Sequence, residues 1–160
     1  MNLPVVFALS AYVAAAIGEG LFMGRAGARY MKALQQPRHA PSSFGWSLIG
    51  VGYYVLCFFG LLRLTARPGE SSVAVGLLLL VMLANTFWNY VYFRMHDLRL
   101  AFWYSIAYAC IFAVLVVTLF RTDRSVALAF CVYAAYLPYA LLLGYQTWRL
   151  NPDVTKRSQS

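Results

Sequence analysis

With 160 residues the chain has the length of a single domain, yet 62% of it is hydrophobic and only 11% is charged. Ordinary soluble domains carry about 25% charged residues, and an 18.0 kDa globule has too small an interior to hide the apolar excess. A soluble enzyme and a disordered chain are excluded, and the +8 net charge is scattered as 13 Lys and Arg between apolar runs, without the basic face of a nucleic-acid binder.

Residues 1–24 hold one charged side chain, Glu19, while 40–62, 71–93, 100–120 and 125–148 contain no Asp, Glu, Lys or Arg. A membrane-spanning helix needs about 20 such residues at 1.5 Å rise per residue. The chain is therefore expected to be an all-α membrane protein, a bundle of five transmembrane helices at about 3–24, 44–63, 72–93, 99–120 and 125–148. These form a single domain, 1–151, with a first-loop lid at 25–43 and a polar tail at 152–160. A membrane β-barrel is excluded because stretches such as 75–84 show no alternation of apolar and polar residues. No Lys or Arg precedes Arg25, so the first segment lacks the charged start of a signal peptide and reads as a mature helix.

Cytoplasmic loops are enriched in Lys and Arg. Arg25, Arg29, Lys32, Arg38, Arg94, Arg99, Arg149, Lys156 and Arg157 lie on one side of the bundle; Arg63, Arg67, Arg121 and Arg124 lie on the other. This places the N-terminus outside and the C-terminus in the cytoplasm. Cys57, Cys110 and Cys131 all fall within spans and read as small packing residues. His39 and His96 sit on separate loops without ligand partners, so no metal site is legible. No nucleophile motif, phosphate loop or carboxylate pair marks a catalytic residue.

On the third helix Asn85, Trp88, Asn89 and Tyr92 follow the spacing i, i+3, i+4, i+7 and share one face. Amides at membrane depth need partners. They serve either as polar glue between helices or as the placed polar groups of an apolar small-molecule pocket. Matching material lies on the second helix, with Trp46, Gly50, Tyr53, Tyr54 and Cys57, and on the fifth, with Tyr133, Tyr136, Ala140 and Gly144. Gly20 and Gly24 form a G-x-x-x-G pair suited to close packing or to dimerisation. Glu19, the one acid in a span, lies about one turn from the loop, where it reaches water, pairs with a first-loop cation or closes the lid. Leu143, Tyr145 and Arg149 fit a permissive sterol pattern, or a snorkelling Arg beside an interfacial Tyr.

The order of residues resembles the TspO/MBR family, the tryptophan-rich sensory or translocator proteins. The resemblance runs from about Tyr30 to Asn151 through Leu34-Gln-Gln-Pro37, Pro41, Asn85-x-x-Trp88, Tyr92-Phe93, Leu100-Ala101 and Tyr145-x-x-Trp148-Arg149-x-Asn151. It implies a five-helix bundle, commonly a homodimer, that binds porphyrins and other tetrapyrroles, or sterols, under a first-loop roof. By position it implies pocket roles for Asn85, Trp88, Tyr54 and Ala140, and lid roles for Tyr30, Pro37 and Pro41. Two tryptophans tied in some members to porphyrin photodegradation are replaced by Gly50 and Tyr136, and Trp46 lies one turn from the first gap.

The expected function is that of an integral membrane ligand-binding protein of translocator or sensor type. Its ligand is a porphyrin or related tetrapyrrole, or a sterol, held between the helices by Tyr30, Pro41, Trp46, Gly50, Tyr54, Asn85, Trp88, Asn89, Tyr133, Tyr136 and Ala140. Arg29, Lys32 and Arg38 are placed to attract porphyrin propionates. The alternative is a membrane enzyme that degrades bound porphyrin with light or oxidant. No cofactor is expected to be required, porphyrin or haem being a ligand. The expected partners are membrane lipid and a second copy of the chain in a bacterial or organellar membrane, with no nucleic acid.

Overall fold

Lipid offers no water to the main chain, so an apolar span must close its own hydrogen bonds as a helix. The computed structural model describes residues 3–66, 71–152 and 154. It contains α1 (Leu3–Ala33), α2 (Ser43–Thr65), α3 (Ser72–Tyr90), α4 (Leu98–Thr122) and α5 (Arg124–Leu150). A π-helical turn, Val91–Met95, continues α3 and ends at His96, whose φ of 56° is left-handed. All five helices are long and apolar enough to cross a membrane, and there is no strand among the described residues. Of the tail expected at 152–160, only Pro152 and Val154 are described.

The connections are set by side-chain caps. Ser42 accepts the Gly45 N–H at 3.2 Å and starts α2; Asp97 accepts the Leu100 N–H at 2.9 Å and starts α4. Asp123 acts at two helix ends, donating its own N–H to the Leu119 carbonyl of α4 and accepting the Ser125 and Val126 N–H groups of α5.

One boundary differs from the sequence expectation. Residues 25–33, expected as the first part of the loop, are helical: a second helical stretch follows the expected span across a break at Gly24, whose φ of 42° suits only a residue without a Cβ. The residues beyond the bend are mostly Ala, Arg, Met and Lys, good helix formers whose charges mark where water begins rather than where the helix stops. Gly27 holds this extension against the π turn, since a Cβ there would lie 3.0 Å from Phe93 Cδ1. The link to α2 is thus residues 34–42.

Neighbouring helices form a closed ring in the order α1, α2, α5, α4, α3, with α2 and α3 also touching across it. The main core lies among α2, α3, α4 and α5, where Cys57, Leu61, Leu78, Val81, Phe112, Leu115 and Phe130 are fully buried. A second cluster, Leu34, Val91, Tyr92, Phe93, Leu98 and Ala101, with Tyr30, Trp88 and Trp148 against it, ties the end of α1 to the π turn and α4. By contrast α1 buries only Ala8 and Gly27 and turns Val5, Leu9, Val13, Ile17 and Leu21 outward. Those side chains face the surroundings that the five spans require to be lipid.

Candidate functional site

The interior polar groups gather where α1, α2 and α3 meet. At Gly18 the two outer helices come close enough that a Cβ would lie 2.8 Å from Thr86 Cγ2. One residue further along α1 and one back along α3, the Asn85 amide Nδ2 donates to Glu19 Oε1. The Tyr54 hydroxyl of α2 is buried beside the same carboxyl. Tyr12 packs its ring edge-on to Tyr54 at 5.2 Å. Glu19 therefore lies half-buried against α3, and it makes no ion pair with a first-loop cation among the described residues. Arg94, which does reach α1, donates to the Leu21 carbonyl at 2.7 Å.

From this cluster a chain of rings runs across the bundle. Tyr54 touches Tyr53 at 5.5 Å, Tyr53 touches Tyr133 at 5.1 Å, and Tyr133 touches Tyr136 at 5.5 Å. Tyr136 meets Tyr139 at 6.0 Å, and Tyr139 meets His39 of the first link at 6.2 Å. The Tyr139 hydroxyl also donates to the His39 carbonyl at 2.5 Å. Gly50 lies half-buried on α2, and a Cβ there would meet nothing within 4 Å, so the space beside it is open.

Other expected residues have partners of their own. Trp88 donates its indole N–H to Ser105 Oγ at 2.9 Å and to the Ala101 carbonyl at 3.2 Å, both on α4, and stacks on Tyr92 at 4.9 Å. Asn89 bonds back to the Asn85 carbonyl at 3.0 Å. Tyr30 packs on Tyr92 and His96, with ring centroids 6.0 and 4.2 Å away, as part of the second cluster. Pro41 is half-buried beside Gly45; Trp46 and Ala140 are half-buried on α2 and α5. In the sterol pattern Leu143 turns inward, while Tyr145 and Arg149 are exposed. Asn85, Tyr54, Tyr133 and Tyr136 thus join one connected interior group, which Asn89 meets through the Asn85 carbonyl.

Sequence reasoning missed three features of this region. Tyr12 shows no polar periodicity on a helix rich in Ala, and nothing local marks it as Tyr54's partner. Tyr139 latches the link through a main-chain carbonyl, which leaves no side-chain pattern. Asn151, read as part of a family ending, accepts the Gln35 N–H and donates to the Gln35 carbonyl.

Residues 6–149 match the family model described as the TspO/MBR family, nearly the whole chain. No curated protein matches the sequence.

Proposed function

Because the chain belongs to the TspO/MBR family and carries five helices able to span a membrane, we propose that it is a ligand-binding membrane protein of translocator or sensor type. Its ligand is a porphyrin or a related flat tetrapyrrole, with a sterol as the other candidate. The ligand lies between the helices beneath residues 34–42, against Tyr54, Tyr133 and Tyr136, beside the open space at Gly50, and is oriented by Asn85. Trp88 serves this site from behind by fastening α3 to α4.

The observation that carries the reading is the placement of Asn85, Glu19 and the buried Tyr54 hydroxyl among aromatic walls. A few convergent polar groups in an apolar surround are what small-molecule sites present. Arg29 and Lys32 on the extension of α1, and Arg38 on the link, are exposed and draw anionic propionates to the rim. The chain lies with its N-terminus outside and its C-terminus in the cytoplasm, on the side rich in Lys and Arg. A second copy packs near Gly20, which is exposed and has nothing of its own chain near a Cβ position.

The test is a titration of the detergent-solubilised protein with protoporphyrin IX, followed by tryptophan fluorescence. Saturable quenching that weakens in Asn85→Ala and in Gly50→Trp, which fills the open space, supports the site. Quenching that is the same in both variants and the wild type overturns it.

A further inference from the structure

Glu19 is the sole acid within a span, and at that depth a carboxylate is costly unless a cation or hydrogen-bond donors compensate it. The bundle supplies donors only. Asn85 donates to Oε1, and the Tyr54 hydroxyl, itself a donor, stands beside the same carboxyl. The other groups around it, Cys57 and Tyr133, carry no positive charge. Among the described residues the one ion pair is Arg63 with Asp123, at the opposite end of α2. The site is therefore built to accept from a donor and lacks a counter-charge of its own.

We propose that Glu19, fixed by Asn85 and flanked by Tyr54, is a recognition site for the protonated nitrogen of a flat aromatic amine. This rests on the reading that a small molecule occupies the space among α1, α2 and α3, and it adds a ligand class to the tetrapyrroles. The ammonium or ring N–H of such a ligand donates to the Glu19 oxygen that Asn85 does not use. The Tyr54 oxygen accepts a second N–H, and the aromatic body lies along Tyr12, Tyr54 and Tyr53. The protein's net charge of +8 repels cations overall, so a preference for a cationic over a neutral ligand must come from a local acid.

The test compares 9-aminoacridine, a cation at neutral pH, with acridine, its neutral counterpart of the same shape, both titrated in a non-ionic detergent. The wild-type protein is expected to bind the cation about tenfold or more tightly than the neutral ring, the effect of one hydrogen bond to a charged group. Glu19→Gln keeps the size and the Asn85 contact and is expected to erase this preference by weakening the cation about tenfold more than it weakens acridine. The absence of a cation preference in the wild type overturns the proposal without recourse to any variant. So does a preference that survives Glu19→Gln, or a Glu19→Gln loss shared equally by all three probes. If protoporphyrin IX fails to bind while the amine preference holds and depends on Glu19, the tetrapyrrole reading falls and this one stands.

Discussion

The side chain of Asn151 makes a reciprocal pair of hydrogen bonds with the main chain of Gln35: Oδ1 accepts the Gln35 N–H at 2.9 Å and Nδ2 donates to the Gln35 carbonyl at 3.0 Å. A third bond, from Nδ2 to the Thr147 carbonyl at 2.8 Å, fixes the amide to the last turn of α5. The start of the first link is thereby fastened to the far end of the chain. Asn151→Asp keeps the acceptor and loses both donated bonds. We expect faster amide hydrogen exchange in residues 34–42 and a faster protoporphyrin off-rate, with far-ultraviolet circular dichroism unchanged. Unaltered exchange in the link would mean that Tyr139 and the second cluster hold it without Asn151.

Trp88→Phe removes one donor shared by two acceptors on α4 while keeping the stack on Tyr92. Leaving Ser105 and the Ala101 carbonyl to each other, which already bond at 2.8 Å, limits the damage. The loss is expected to be about 1 kcal/mol, the net worth of one hydrogen bond, seen as a lower midpoint of thermal unfolding in detergent. Because Trp88 acts by holding α3 in place, the same variant should weaken porphyrin binding less than Asn85→Ala does. The reverse order of effects would put the indole in contact with ligand.

At the other membrane face, Arg63 Nη2 lies 2.9 Å from Asp123 Oδ2, with side chains 43% and 5% exposed. Burial alone would raise the Asp123 carboxyl, but the Val126 N–H and the Arg63 guanidinium outweigh it and hold the group below its ordinary value of 3.8. A carboxyl whose folded value is depressed adds stability above its unfolded value and loses it as pH falls through the folded one. Stability from this group is thus full near neutrality and declines only below about pH 4. Asp123→Ala should cost about 0.5–2 kcal/mol as a lost cap, and should flatten the acid limb of a plot of unfolding midpoint against pH. Arg63→Ala should cost about 1 kcal/mol or less, since that side chain is largely in water.

Gly18 sets the spacing of α1 from α3. A methyl group there would stand 2.8 Å from Thr86 Cγ2, so Gly18→Ala must push the helices apart or turn Thr86, which is stiff at χ1. Overpacking of this kind costs about 1–3 kcal/mol. The double variant Gly18→Ala/Thr86→Ser, which removes the clashing methyl, should recover most of the loss in thermal stability. Failure of the rescue would show that the close approach at Gly18 does not govern the spacing.

Much of the architecture was legible because lipid writes a simple rule into sequence: a span must be free of charge for about 20 residues. That rule places the end of the first span at Gly24, where the helix breaks, but it does not show that residues 25–33 resume as a helix. Helical spacing singled out the face bearing Asn85 and Trp88, but spacing assigns a residue to a face and not to a partner. Whether Glu19 meets water or an amide depends on the register of α1 against α3, set by contacts 66 residues apart in the chain. The same limit hid the α4 partners of Trp88.

Asp123 closes α4 and opens α5 with one side chain and one main-chain N–H, and it is the single residue between the two helices. The pair is consequently a helical hairpin whose register is decided locally, before any distant part of the chain is in place. Such nearby contacts form early and cheaply, and during synthesis they can enter the bilayer as one unit. The first helix buries little more than Ala8 and Gly27 and has the least to hold it until its neighbours arrive.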